Sequence, residues 1–154
     1  MSALDGMYQE VILDHAKRRS GEGLADPDPG HGAGESHQYN PTCGDEITVR
    51  VELAPAGPGA EPVVERVTWA GQGCSISMAA ASVLAEAAPG LTRRELLELI
   101  AQFRVLLRSR GTAEPDEEVL GDAAAFAGVS RFVARVKCAM LGWVAAEEAL
   151  ARAA

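Results

Sequence analysis

Apolar positions near the start of the chain recur at helical spacing. Leu4, Met7, Tyr8, Val11, Ile12 and His15 fall on one stripe, which predicts a helix over 3–17. The pattern then stops. Residues 20–37, SGEGLADPDPGHGAGESH, are rich in Gly, Pro, Asp and Ser and read as a flexible loop. Gln38 to Thr42 suits a short strand leading into Cys43. From Asp45 to Leu53 the apolar residues Ile47, Val49, Val51 and Leu53 alternate with polar ones, the period of a half-buried strand. A proline-rich turn over 54–62 precedes a further strand marked by Val63, Val67 and Trp69, which ends at Gly71-Gln72-Gly73-Cys74.

Helical signals occupy the rest. Ser75 to Ala88 is alanine-rich and stops at Pro89-Gly90. Thr92 with Glu95 makes a capping box for a helix whose apolar stripe is Leu96, Leu99, Ile100, Phe103, Leu106 and Leu107, ending near Arg108. An acidic loop over 111–118 leads to a short helix near Val119–Phe126, and a final helix covers about Arg131–Ala151. Strands with one apolar face need a covering layer, which the helices provide. The expected fold is α+β, a small antiparallel three-stranded sheet with helices on one side. Without an internal repeat or a compositional break, residues 1–154 read as a single domain.

Charge narrows the function classes. Fourteen basic and 22 acidic residues give −8 over 154 residues, a balance that repels phosphate backbones and anionic lipid. Nucleic-acid and membrane binding are therefore excluded as first expectations, and no apolar run approaches the roughly 20 residues of a membrane span. The opening MSALDGMYQE has no basic segment followed by an apolar one, so the expected compartment is the cytoplasm, where thiols stay reduced. Lys17 and Lys137 are the only lysines; this bias towards arginine follows base composition and is no sign of anion recognition.

Three cysteines in such a chain do not suit disulfide scaffolding. They could be inert thiols, reactive thiols or metal ligands. All three fall at element boundaries. Cys43 lies in a turn-type sequence, Asn40-Pro41-Thr42-Cys43-Gly44-Asp45. Cys74 opens a helix, where the dipole and free N–H groups favour a thiolate. Cys138 lies early in the last helix, beside Lys137 and close to Arg135. Asp45, two residues from Cys43, would complete an S₃O donor set suited to zinc. Three thiolates and one carboxylate around Zn²⁺ leave a net charge of −2, which Arg135 and Lys137 are placed to offset. His15 reads as a packed residue with one hydrogen bond. His31 and His37 are expected in solvent, with His37 near enough to visit Cys43. Gly71-Gln72-Gly73 lacks the Gly-Lys-Ser/Thr of a nucleotide loop.

These residues carry a resemblance. Asn40–Asp45, Gly71–Ser77 and Arg135-Val136-Lys137-Cys138-Ala139 resemble the three cysteine motifs of the U-type (SufU/IscU/NifU N-terminal) iron–sulfur cluster assembly family, and Met7–His15 is similar to its first helix. The interval between Cys74 and Cys138 is similar to the SufU branch, which has an extra helical segment there. Scaffolds of the IscU type carry a histidine just before the third cysteine, where this chain has Lys137.

The resemblance implies a SufE/IscU-like fold and a zinc ion held by Cys43, Asp45, Cys74 and Cys138. It further implies a SufS-type cysteine desulfurase as partner, with downstream Suf scaffold proteins beyond it. In the family's mechanism a partner histidine displaces Cys43 from zinc, and the freed thiolate takes sulfur from the desulfurase persulfide. The expected function is a zinc-dependent sulfurtransferase with Cys43 as acceptor. The rivals are an IscU-like scaffold that assembles a transient [2Fe–2S] cluster, and a structural zinc or interaction module. Against a chain charge of −8, docking is expected to depend on local basic residues.

Overall fold

In the central strand, Ile47, Val49, Val51 and Leu53 are almost completely buried on one face of the sheet. The computed structural model describes residues 3–153; the side chain of Leu4 lies outside the described residues. The chain runs α1 (Ala3–Arg18), β1 (Gly32–Tyr39), β2 (Glu46–Ala54), β3 (Val63–Gln72), α2 (Ser75–Ala87), α3 (Arg93–Arg108), α4 (Glu117–Leu120), 3₁₀ turns at Gly121–Ala127 and Val129–Arg131, and α5 (Val133–Arg152). The strands form one antiparallel sheet in the order β1-β2-β3. Helices cover its apolar face, as the alternation in β2 requires.

Helix α5 is the centre of that cover. Trp143 is fully buried, donates from Nε1 to the Ala80 carbonyl of α2 at 3.0 Å, and stacks on Phe103 of α3 with ring centroids 3.9 Å apart. Phe103 in turn meets Phe126 edge-on at 5.6 Å, so one aromatic chain ties α5, α3 and the first 3₁₀ turn into the core. Thr92 and Glu95 form both bonds of the expected capping box at the start of α3, and all six stripe residues of that helix are buried. The stripe on α1 is narrower than its spacing suggests. Tyr8 and Ile12 pack against the core and His15 is buried, whereas Met7 is 63% exposed.

The segment expected as a flexible loop is largely structured. Residues 32–37 belong to β1, and the strand expected at Gln38–Thr42 already ends at Tyr39. The inward residues of β1 are small because α5 lies directly on them. A Cβ on Gly34 would stand 1.9 Å from the Ala149 carbonyl oxygen and 2.6 Å from the Ala153 nitrogen. Ser36, buried beside it, donates to Glu148 of α5 at 2.6 Å.

Residues before β1 are pinned as well. Gly21 and Gly23 exchange backbone hydrogen bonds with Trp69, and the chain then crosses the outer sheet face. There the buried Glu52 accepts from the Asp28 amide at 3.0 Å and meets His31 Nδ1 at 2.6 Å and Arg66 Nε at 2.9 Å. His31 is thus a partner of the buried Glu52 carboxylate rather than a solvated side chain.

Gly34→Ala should cost at least about 2 kcal/mol through overpacking against backbone that cannot retreat. That corresponds to a fall in Tm of roughly 4–8 °C for a chain of this size. Gly6→Ala, on α1 with nothing within 4 Å of the added methyl, should instead raise Tm. Thermal unfolding of the two variants checks both signs.

Candidate metal centre

The turn between β1 and β2 is built by its own polar groups. Asn40 is buried; its side-chain oxygen accepts from the Thr42 amide at 3.0 Å and its carbonyl from the Gly44 amide at 2.8 Å. The Asn40 amide donates to the Asp45 carbonyl at 2.8 Å and closes the loop just beyond the last strand pair, Tyr39 with Glu46. This arrangement leaves Cys43 exposed on the turn and turns Asp45 inward, where it is 4% exposed.

Strand β3 delivers Cys74 to the same end of the sheet, as the residue capping the N-terminus of α2. Its amide donates to Asp45 Oδ1 at 3.2 Å, and its thiol lies 3.5 Å from Asp45 Oδ2. One turn into α2, the buried Ser77 donates its hydroxyl to Asp45 Oδ2 and stands 3.5 Å from Cys74 Sγ. Gly73 closes the cradle: a Cβ there would lie 2.7 Å from Asp45 Cγ. Helix α5 brings in Cys138, buried, with Sγ 3.7 Å from Cys43 Sγ across 95 residues of sequence.

The ligand atoms of Cys43, Asp45 and Cys138 all lie within 4.8 Å of one another, and Cys74 joins them through Asp45. Two of the spacings suit a four-coordinate ion. With Zn–S near 2.3 Å and Zn–O near 2.0–2.1 Å, a tetrahedron has an S···S edge of about 3.8 Å and an S···O edge of about 3.5 Å. The 3.7 Å separating the Cys43 and Cys138 sulfurs and the 3.5 Å from Cys74 to Asp45 match those edges.

Charge is distributed unevenly among the donors. Burial alone would raise the pKa of Asp45, but hydrogen bonds from Ser77, Cys43, Cys138 and Cys74 outweigh it and hold the carboxyl below the usual range. Cys138 moves the opposite way. Burial, then its hydrogen bond with Cys43 and the nearby Cys74 and Asp45, push its thiol well above the ordinary value. Without a cation the cluster therefore keeps one carboxylate and holds Cys138 as a neutral thiol, and a dication reverses that preference.

The cluster opens into a depression of about 1150 Å³, also lined by Arg135, Lys137, Val133 and Ile76. Arg135 and Lys137 border the four donors as the sequence suggests, and neither forms an ion pair among the described residues. The histidines stay away. His37 sits on the strand and meets Glu46 at 3.3 Å instead of reaching Cys43. His15 is buried with both ring nitrogens engaged, to Ser82 and Asp122 at 2.8 Å each, rather than making a single bond. Gly73 and Ser77 escape sequence reasoning as site residues. The available signal is their spacing, with Ser77 three residues after Cys74 on the same side of a helix.

The fold and these donors define an α+β domain that gathers three thiols and a carboxylate at the open end of a hairpin sheet. The sequence profile of the NifU-like N terminal domain matches residues 7–151, and the chain belongs to that family, the U-type proteins of iron–sulfur cluster assembly. It is 35% identical over 154 residues to the iron-sulfur cluster assembly scaffold protein IscU of Streptococcus pyogenes serotype M1, covering 100% of this chain and 89% of that protein. It is also 35% identical over 150 residues to the zinc-dependent sulfurtransferase SufU of Bacillus subtilis (strain 168), covering 97% and 92%.

A crystal structure of a putative SUF-system scaffold protein, SufU from Fervidobacterium islandicum AW-1, superposes with a TM-score of 0.70 at 32% identity, covering 92% of this chain and 94% of that one. No helix among the described residues is long and apolar enough to cross a membrane.

In metal-stripped protein, Cys138 should alkylate at least about tenfold more slowly than Cys43, since it is buried and its thiolate is disfavoured. Timed iodoacetamide labelling with peptide mass spectrometry reads the two rates directly.

Proposed function

We propose that the chain is a zinc-dependent sulfurtransferase of iron–sulfur cluster assembly, accepting persulfide sulfur on Cys43 from a SufS-type cysteine desulfurase in the cytoplasm. The observation that carries this reading is the convergence of Cys43, Asp45, Cys74 and Cys138 at spacings that suit a tetrahedral zinc ion. Zinc bound there keeps the thiols deprotonated at neutral pH and masks them from oxidation and stray electrophiles.

The acceptor role falls to Cys43 because of where it sits. Cys138 is buried on a helix and Cys74, though exposed, is held at a helix N-cap, whereas Cys43 is exposed on the β1–β2 turn. The Cys43 thiolate attacks the outer sulfur of the desulfurase persulfide. A new S–S bond forms on Cys43, the old one breaks, and the desulfurase cysteine leaves as a thiolate. Downstream Suf scaffold proteins would take the sulfur next.

Lys137 favours this reading over a cluster scaffold. An ammonium group cannot serve as a ligand where IscU-type scaffolds have a histidine. The rival draws support from the equal 35% identity to a protein named as an IscU scaffold. Metal content separates the two. Protein purified without added metal should be colourless with about one zinc per chain, and should speed alanine release from cysteine by a SufS-type desulfurase. Cys43→Ala should abolish that stimulation; a variant as effective as wild type overturns the acceptor role. Stoichiometric iron and sulfide with visible colour after anaerobic reconstitution favours the scaffold.

Ser77 would position Asp45 as a ligand, so Ser77→Ala should weaken zinc binding by about 10–100-fold in a chelator competition while leaving the circular dichroism spectrum unchanged. Unaltered zinc affinity would remove Ser77 from the site.

A further inference from the structure

Strand β2 carries a carboxylate that the sheet alone would leave in solvent. Its alternation turns Ile47, Val49 and Val51 towards the helices and Glu52 to the other face. Glu52 is nevertheless 1% exposed, because residues before β1 cross over it. Its Oε2 accepts from the Asp28 amide and meets His31 Nδ1. Its Oε1 is buried without a hydrogen bond, and no other buried side-chain oxygen or nitrogen among the described residues shares that condition. Arg66 Nε stands 2.9 Å away but is not aligned to donate, and the same guanidinium gives Nη2 to Asp28 Oδ2 at 2.8 Å. One cation is shared between two carboxylates, and the buried oxygen holds charge without a directed donor.

Glu52 is ionised there. Burial alone would raise its pKa, but the Asp28 amide, His31 and Arg66 outweigh burial and hold the carboxyl below the usual range. The ligand atoms of Asp28, His31 and Glu52 all lie within 4.8 Å of one another. A second histidine–carboxylate group, His15 with Glu86 and Asp122, lacks the orphaned oxygen, and both ring nitrogens of His15 are already engaged.

We propose that Asp28, His31 and Glu52 bind a further metal ion, a divalent first-row transition metal, which displaces the Arg66 guanidinium. One imidazole and two carboxylates suit such an ion better than calcium or magnesium, which prefer oxygen alone, and the lack of a thiolate disfavours softer ions. A single guanidinium leaves one of the two negative charges uncompensated, whereas a dication neutralises both. Asp28 is exposed and Arg66 partly so, which lets the guanidinium swing out and water complete the coordination shell. The site is separate from the cysteine cluster: Glu52 lies six residues along β2 from Glu46 at the cluster end, about 20 Å in an extended strand. An ion here fastens residues 28–31 to β2 just where the crossing segment enters β1. The inference does not depend on the sulfurtransferase reading.

The test is a Co²⁺ titration of protein whose cysteine donors have first been saturated with zinc, which binds such donors more tightly than cobalt. Wild type should take up one Co²⁺ per chain, with the visible bands of nitrogen and oxygen ligation and no near-ultraviolet thiolate-to-cobalt charge transfer. His31→Ala and Glu52→Gln should each weaken that uptake at least about tenfold. Arg66→Ala should tighten it severalfold, since no guanidinium has to leave, whereas a purely structural ion-pair network predicts lost stability and no cobalt. His37→Ala should change nothing. Wild type also supplies an arm that needs no variant: bound Co²⁺ should perturb the ring-proton resonances of His31 before those of His15 and His37.

No uptake by zinc-saturated wild type at about 1 mM Co²⁺ would overturn the proposal, as would affinities within about twofold of wild type for His31→Ala and Glu52→Gln. Cobalt that enters only with thiolate charge-transfer bands assigns it to the cysteine cluster and overturns the further site.

Discussion

Helix α5 lies on β1 at backbone contact distance, and the relative placement of the thiols depends on that approach. Gly34 admits it, because any Cβ there would occupy the position of the Ala149 carbonyl. With the helix at that depth, Trp143 reaches Ala80 and stacks on Phe103, fixing the rotation of α5 about its axis. Rotation and depth together set where Cys138 arrives. Its sulfur meets that of Cys43 at 3.7 Å, although the two share no local sequence. A looser contact would displace Cys138 and leave the turn and α2 with an incomplete donor set.

Asp45 supplies the second constraint, an electrostatic one. A carboxylate this buried is costly unless hydrogen bonds replace water. The Cys74 amide, the Ser77 hydroxyl and the thiols do so, drawing the β1–β2 turn onto the N-terminus of α2. The same bonds that make the buried charge tolerable also orient it. One oxygen is held by the helix amide, and the other faces Cys74 at 3.5 Å. Stability and chemistry are therefore coupled at this residue, and Gly73 preserves the space in which the coupling occurs.

Helices α1, α2, α3 and α5, strands β2 and β3 and the four residues gathered at the candidate site were legible in the sequence because each carries a strong local signal; the short helix expected near Val119–Phe126 is instead α4, which ends at Leu120, followed by a 3₁₀ turn over Gly121–Ala127. Alternation from Ile47 to Leu53, the Thr92–Glu95 box, and cysteines at element boundaries are all short-range patterns. β1 was not legible. Strand periodicity is normally written in large apolar residues, but here the inward positions are Gly34 and Ser36, chosen for helix approach rather than burial of area. His31 was misread for a related reason, because its partner Glu52 gives no local sign of burial. A charged residue on an alternating strand suggests a solvated face, and nothing local reveals that residues before β1 cross and cover it. Within the site, Ser77 needed the fold, since its role comes from a carboxylate 32 residues earlier in the chain.

The distribution of charge around the donors follows from these placements. The N-terminus of α2 directs partial positive charge at Cys74 and Asp45, and the N-terminus of α5 adds Arg135 and Lys137 nearby. Those cations oppose the dipole of their own helix, so their position is not explained by helix stability. It is explained by the cluster, whose four donors carry −4 when fully ionised and −2 around a dication. A strongly acidic chain thus builds a small cationic island where its own anionic chemistry is densest. The side chains of that island form no ion pair among the described residues, while the amide at the start of α2 serves the charge within.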